Sequence, residues 1–164
     1  MELKGKSANQ ISMQKEMKLD FEKFVNSLFK SDQFKTKILK EDLDHSLKVV
    51  SSNTSYPDLL VRFTEEGKST MFGVKCKWIP KLLHTQSWKT PAKIQKLQLF
   101  EQETKTPIFV VLGYGGTSTS PEFLYVAPLE KFKQCQVKLT YLLNFKREVP
   151  NKEFVFHPDR MVLK

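Results

Sequence analysis

Residues 56–78 read YPDLLVRFTEEGKSTMFGVKCKW. DLLVRF is short, apolar and partly β-branched, which predicts a strand. TMFGVKCKWI, over 70–79, is a second and longer one. TEEGKS between them is a plausible hairpin loop. Side chains alternate along a strand, so Phe72, Val74, Cys76 and Trp78 share one face. Gly73, Lys75 and Lys77 share the other. Asp58 opens the first strand. If the two strands pair, Asp58, Lys75 and Lys77 converge. A carboxylate beside two ammonium groups suits work on a phosphate backbone. The carboxylate can hold a metal, and a lysine can orient water or stabilise developing negative charge.

Outward from this pair, LDFEKFVNSLFK places Phe21, Phe24, Val25 and Leu28 at i, i+3, i+4 and i+7, one face of a helix. Asp20 is its expected N-cap, and Glu22 lies at the edge of the stripe. Residues 1–16 are polar and read as a flexible N-terminal segment ahead of a single domain over 17–164. Residues 34–50 fit either a short helix or a strand, and SSNTSYP is a turn by composition. Residues 79–90 read as a basic, aromatic-containing loop. A helix then starts with Thr90 as N-cap and Pro91 at its first position. Ile94, Leu97 and Phe100 form its apolar line, and Lys105 and Pro107 mark its end. PIFVVLG is a buried-strand type, YGGTSTSP a loop and EFLYVAPL another strand. The order helix, strand, strand, helix, strand, strand predicts an α/β fold with a central mixed sheet flanked by helices. Residues 131–164 give no clear assignment.

The 164 residues carry 27 Lys+Arg against 18 Asp+Glu, a formal net charge of +9. That favours an acidic partner such as nucleic acid. With 40% apolar and 27% charged residues the chain fits a globular domain rather than a disordered one. Two cysteines, Cys76 and Cys135, cannot make a disulfide framework. No apolar run reaches membrane-span length, and the polar N-terminus lacks a signal-peptide core. These features predict a reduced, cytoplasmic protein with no membrane partner.

The spacing YPDLLVRF…MFGVKCKW resembles the PD-(D/E)xK nuclease superfamily, with its restriction-endonuclease-like fold. In that family Pro-Asp begins one strand and an acid-x-Lys pair lies on the next. Pro57-Asp58 matches the first part and Lys77 the family lysine. FEKFVNSLF resembles the preceding helix, with Glu22 where some members place a metal-binding Glu. KIQKLQLF and PIFVVLGYGGTSTSPEFLYVAPL resemble the helix, strand, glycine loop and strand that follow in some bacterial members. The likeness covers roughly residues 19–130.

Three positions depart from the family. The acid two residues before the lysine is Lys75. Lys93 stands where the following helix would carry Gln, and Leu97 where it would carry Tyr. Mg²⁺ needs oxygen ligands, and an ammonium in place of a carboxylate removes one and repels the ion. Glu22, Asp44, Glu65 and Glu66 are the acids that could replace it. Alternatively, Lys75 takes the metal's place and pairs directly with Asp58 or with a phosphate.

Other features carry competing readings. Lys93, near a helix N-terminus, is either a solvated lysine or part of an anion cradle. Trp88, among Lys81, His84 and Lys89, either caps the core or stacks on bases between cations. His84 has no metal-ligand spacing. The GYGGTSTS run lacks the Walker and dinucleotide signatures and reads as a tight strand connection. Cys76 is expected to be buried and inert.

The resulting expectation is a nucleic-acid-binding protein, DNA before RNA, with a weakened or lost Mg²⁺-dependent phosphodiesterase site marked by Asp58, Lys75 and Lys77. Lys75, Lys81, Trp88, Lys89 and Lys93 would contact nucleic acid. Two alternatives stand beside it. One is an active nuclease in which Asp58, Glu22 and the Cys76 carbonyl bind Mg²⁺ and Lys77 positions water, which requires a second carboxylate beside Asp58. The other is a non-catalytic interaction protein. The family resemblance also allows a homodimer.

Overall fold

The two strands that decide the reading form a hairpin in the computed structural model, which describes residues 7–39, 56–81 and 84–164. They are β2 (Leu59–Glu65) and β3 (Lys68–Ile79), antiparallel, with Leu59 opposite Val74 and Glu65 opposite Lys68. Glu66 and Gly67 make the turn, both at positive φ.

Helix α1 (Ala8–Ser27) comes first. It starts a dozen residues earlier than expected. Its N-cap is Ser7, not Asp20, and a full capping box closes it: the Ser7 hydroxyl accepts from the Gln10 N–H, and the Gln10 side chain accepts from the Ser7 N–H. Residues 8–16 are therefore helical, although all are exposed. Only Phe21, Glu22, Val25 and Leu28 sink into the body.

The ambiguous segment resolves in part. Residues 34–38 are strand β1 (Phe34–Ile38), antiparallel to β2, while residues 40–50 lie outside the described region. The basic loop contains a short strand, β4 (Thr85–Ser87). Helix α2 (Pro91–Thr104) is capped by Thr90, whose hydroxyl accepts from the Lys93 N–H. It ends at Lys105, which adopts the left-handed conformation. Strands β5 (Ile108–Tyr114) and β6 (Phe123–Pro128) follow.

The sheet order is β1-β2-β3-β5-β6. β3 and β5 run parallel and the other pairs antiparallel. A parallel pair needs a long crossover, and α2 lies within it. The sheet is mixed and flanked by helices, as expected.

The two faces of β5 explain its continuous apolar run. Phe109 and Val111 face α1, while Ile108, Val110, Leu112 and Tyr114 face α2. Every residue of β5 is buried. Gly113 is required by a close approach: a Cβ there would lie 2.6 Å from the Phe21 ring.

The unassigned tail closes both faces and meets the sheet edge at one bridge, Lys146 to Tyr125 of β6. Strand β7 (Gln136–Lys138) pairs with β4. Leu142 of the one-turn helix α3 (Leu139–Leu142) joins the α2-side core. The β8 (Phe156–His157) and β9 (Val162–Leu163) ribbon covers the α1 side. There the Phe156 ring meets Phe63 and Phe109 edge-on and Phe72 at a tilt.

Candidate functional site

The β2–β3 ladder stops at Leu59 and Val74. Just beyond it, the Asp58 N–H still donates to the Val74 carbonyl at 2.9 Å. The next N–H of β3 facing that side belongs to Cys76, and the Asp58 carboxylate Oδ2 accepts it at 2.7 Å. A buried N–H without a partner costs about as much as a lost hydrogen bond. Asp58 thus closes the ladder with its side chain. Gly73 lets Pro57 pack here, since a Cβ on it would meet the Pro57 ring at 2.8 Å.

The other oxygen, Asp58 Oδ1, accepts from Lys75 Nζ at 2.9 Å. Lys75 also donates to the Tyr56 carbonyl at 3.3 Å. Asp58 is 4% exposed and Lys75 2%. A third group arrives from α1: Lys18 Nζ lies 3.6 Å from Asp58 Oδ1 and 3.6 Å from Glu22 Oε1. One ammonium therefore bridges the two carboxylates. Glu22 is buried and Lys18 half-exposed.

Burial acts to raise the Asp58 carboxyl, but Lys75, Lys18 and the Cys76 N–H outweigh it and hold it below its ordinary value. Glu22 goes the other way, to about 7, through burial and then the neighbouring Asp58 charge. The Lys89 ammonium is pushed down to about 7 by burial and then by Lys75, with Lys18 and Lys77 adding to it. The Cys76 thiol is raised by burial and then by Asp58 and Glu22, and it is buried as expected.

Among the sequence candidates, Asp58, Lys75 and Glu22 come together, and Lys77 shares the Lys75 face as an exposed side chain. Cys76 enters through its backbone N–H. Lys81 and Lys93 are exposed and Lys89 is half-buried.

Trp88 must be corrected. It is 2% exposed, its indole N–H donates to the Gln134 carbonyl at 2.9 Å, and its ring packs against Phe132. No ring face is left for a base, because the tail folds over it. Glu65 and Glu66 sit at the far end of β2, roughly 20 Å away at the rise of a strand, and cannot supply the missing acid. Asp44 lies outside the described residues. Leu97 is a core residue.

Lys18 escaped the sequence reading. Its spacing of four residues before Glu22 put both on one helix face, and that was the available signal.

The donor set does not fit Mg²⁺. Both Asp58 oxygens are committed, and two ammonium groups would repel a dication. Among the described residues no three His, Cys, Asp or Glu side chains gather as ligands, whereas a hard cation wants a shell of oxygens.

No protein-family model matches the chain, and no curated protein matches it. A solved structure does: Hjc, a Holliday junction resolvase from the archaeal hyperthermophile Archaeoglobus fulgidus, at a TM-score of 0.51 and 13% identity. The match covers 76% of this chain and 89% of that one. The fold is restriction-endonuclease-like. The sequence resemblance placed Pro-Asp at the start of the first strand, and Pro57 and Asp58 directly precede β2. The buried Lys75–Asp58 pair stands there.

Proposed function

We propose that this protein binds nucleic acid, DNA in the first place, on a nuclease fold whose phosphodiesterase site has been closed by Lys75. The observation that carries the reading is the 2.9 Å ion pair between two buried side chains, Lys75 and Asp58. It puts an ammonium against the carboxylate that a metal would need. The net charge of +9 supports an anionic partner, as do the exposed Lys77, Lys81 and Lys93. The structural neighbour is by its name a resolvase of Holliday junctions, which favours DNA. A homodimer belongs to this reading through the resemblance.

One observation favours a second reading, a working Mg²⁺-dependent nuclease. Glu22 lies across Lys18 from Asp58, and so supplies the second carboxylate that reading requires. Lys75 and Lys18 would both have to leave Asp58 before a metal could enter.

Anisotropy of a labelled duplex, together with plasmid nicking in Mg²⁺, tests the pair of readings. Contacts to about four phosphates predict an affinity loss on the order of 100-fold between 50 and 200 mM salt. The first reading expects that loss and no nicking. Nicking that disappears in Asp58→Ala would establish the second reading instead. Absence of DNA binding at low salt would defeat both.

A further inference from the structure

The segment after β6 alternates core anchors with exposed cations. Phe132, at the end of the 3-10 turn Leu129–Phe132, packs against Trp88, and its neighbours Lys131 and Lys133 are exposed. Val137 of β7 is buried, and the next residue, Lys138, is exposed opposite Thr85 of β4. Leu142 of α3 enters the core while Tyr141 stays outside. The outward side chains line one groove of about 510 Å³, to which no residue of the Asp58 cluster contributes. Three lysines line it against one acid, Glu130. Glu130 lies 3.7 Å from Lys131 with both exposed, and such a pair holds little. Lys133 and Lys138 make no ion pair among the described residues.

Tyr141 is exposed and yet held in place. Its hydroxyl donates to the Lys131 carbonyl at 2.9 Å, and its ring meets Phe145 edge-on, 5.2 Å between centres. The side chain is still 39% exposed. A tyrosine fixed in this way loses little freedom when it meets a ligand. The lysines favour an anion, and the ring adds affinity for a ligand with a flat face to lay on it. A double helix keeps its base faces inside the stack. An unpaired strand offers base faces and phosphates together.

We propose that this groove binds an unpaired nucleic-acid strand, with Tyr141 stacking on a base and Lys133 and Lys138 holding the flanking phosphates. The proposal rests on the nucleic-acid reading above. It adds a second contact surface, built by the tail rather than by β2 and β3, and a preference for a nucleic acid with a single-stranded arm.

The test is anisotropy in EDTA with two labelled probes, a blunt duplex and the same duplex carrying a single-stranded overhang. It compares wild type, Tyr141→Leu, Tyr141→Phe, the Lys133→Gln, Lys138→Gln double variant, and Lys152→Gln as a control. Lys152 lines a separate cleft beside β6 and the C-terminal tail. Thermal melts confirm that each variant is folded, and the two lysine changes, both at exposed positions, test the groove independently of Tyr141. Wild type should bind the overhang probe more tightly than the blunt one, by on the order of tenfold. Tyr141→Leu should abolish that gain, whereas Tyr141→Phe and Lys152→Gln should keep it. The lysine double variant should shrink the salt slope of the overhang probe by about 1.4, at about 0.7 for each phosphate contact on a single strand. Its slope on the blunt duplex should be unchanged. Equal affinity of wild type for the two probes would overturn the groove while leaving DNA binding in place. Equal slope losses on both probes would mean that the lysines hold duplex, and would also overturn it, as would an overhang gain that survives in Tyr141→Leu. Failure of wild type to bind either probe would defeat the functional reading itself.

Discussion

Lys75→Met removes one partner of the buried pair and nearly preserves side-chain volume. Asp58 would then keep the Cys76 N–H at 2.7 Å but, of its two ammoniums, only Lys18 at 3.6 Å. Breaking a fully buried ion pair costs about 3–5 kcal/mol. Lys18 is half-exposed and its charge is screened, so it softens the loss only in part, and about 3 kcal/mol is expected. In a domain of this size each kcal/mol moves Tm by roughly 2–4 °C, so Tm should fall by roughly 6–12 °C. Urea denaturation at pH 7, with Asp58→Asn and the double variant closing a cycle, gives the coupling between the two residues. The double variant should lose less than the sum of the singles. The pH dependence carries a sign as well. The Asp58 carboxyl is held below its ordinary value of 3.8 in the folded state. Its contribution is therefore present above that value and lost as pH falls through the folded one. The gap between wild type and Lys75→Met should thus be widest near neutrality and narrow in acid. A cost under about 1 kcal/mol at pH 7, with additive singles, would refute the buried-pair account.

Glu22 predicts the opposite trend. Its carboxyl is raised from 4.5 to about 7, so its contribution is present below 4.5 and lost as pH rises through 7. Glu22→Gln should gain on wild type between pH 5 and pH 8, by about 3 kcal/mol at most, as read from urea midpoints; a flat difference would contradict the shift. Gly113→Ala forces a methyl to within 2.6 Å of the Phe21 ring, and calorimetry should show a loss of about 1–3 kcal/mol. Trp88→Phe should lower stability while leaving the DNA affinity of the folded protein unchanged, because the ring is buried and tied to Gln134. A large loss of affinity in an anisotropy titration would return Trp88 to the interface.

Much of the fold could be read from local pattern. Alternation along β3 separated Cys76 from Lys75 and Lys77. The Thr90-Pro91 start of α2 and the unbroken apolar run of β5 carried their own signals. The reach of α1 back to Ala8 did not stand out, because its first half buries nothing and only the Ser7–Gln10 capping box announces it. The tail was opaque for a related reason. Its strands are two or three residues long, and the partner of β7 is distant in sequence. That same tail buries Trp88, which no local pattern could reveal.

The site was legible through Asp58, Lys75 and Glu22. Lys18 joins them only because α1 crosses the open end of the β2–β3 ladder, a tertiary fact. Lys89 was read as a surface contact. Its half-buried position comes from the packing of the loop before α2.

The most direct test of the closed site is calorimetric titration of Mg²⁺ into wild type and Asp58→Ala. The ion pair predicts no saturable binding heat in either protein at millimolar Mg²⁺. A saturable isotherm in wild type that vanishes in Asp58→Ala would show that Lys75 gives way to the metal, and the account of a closed site would be wrong.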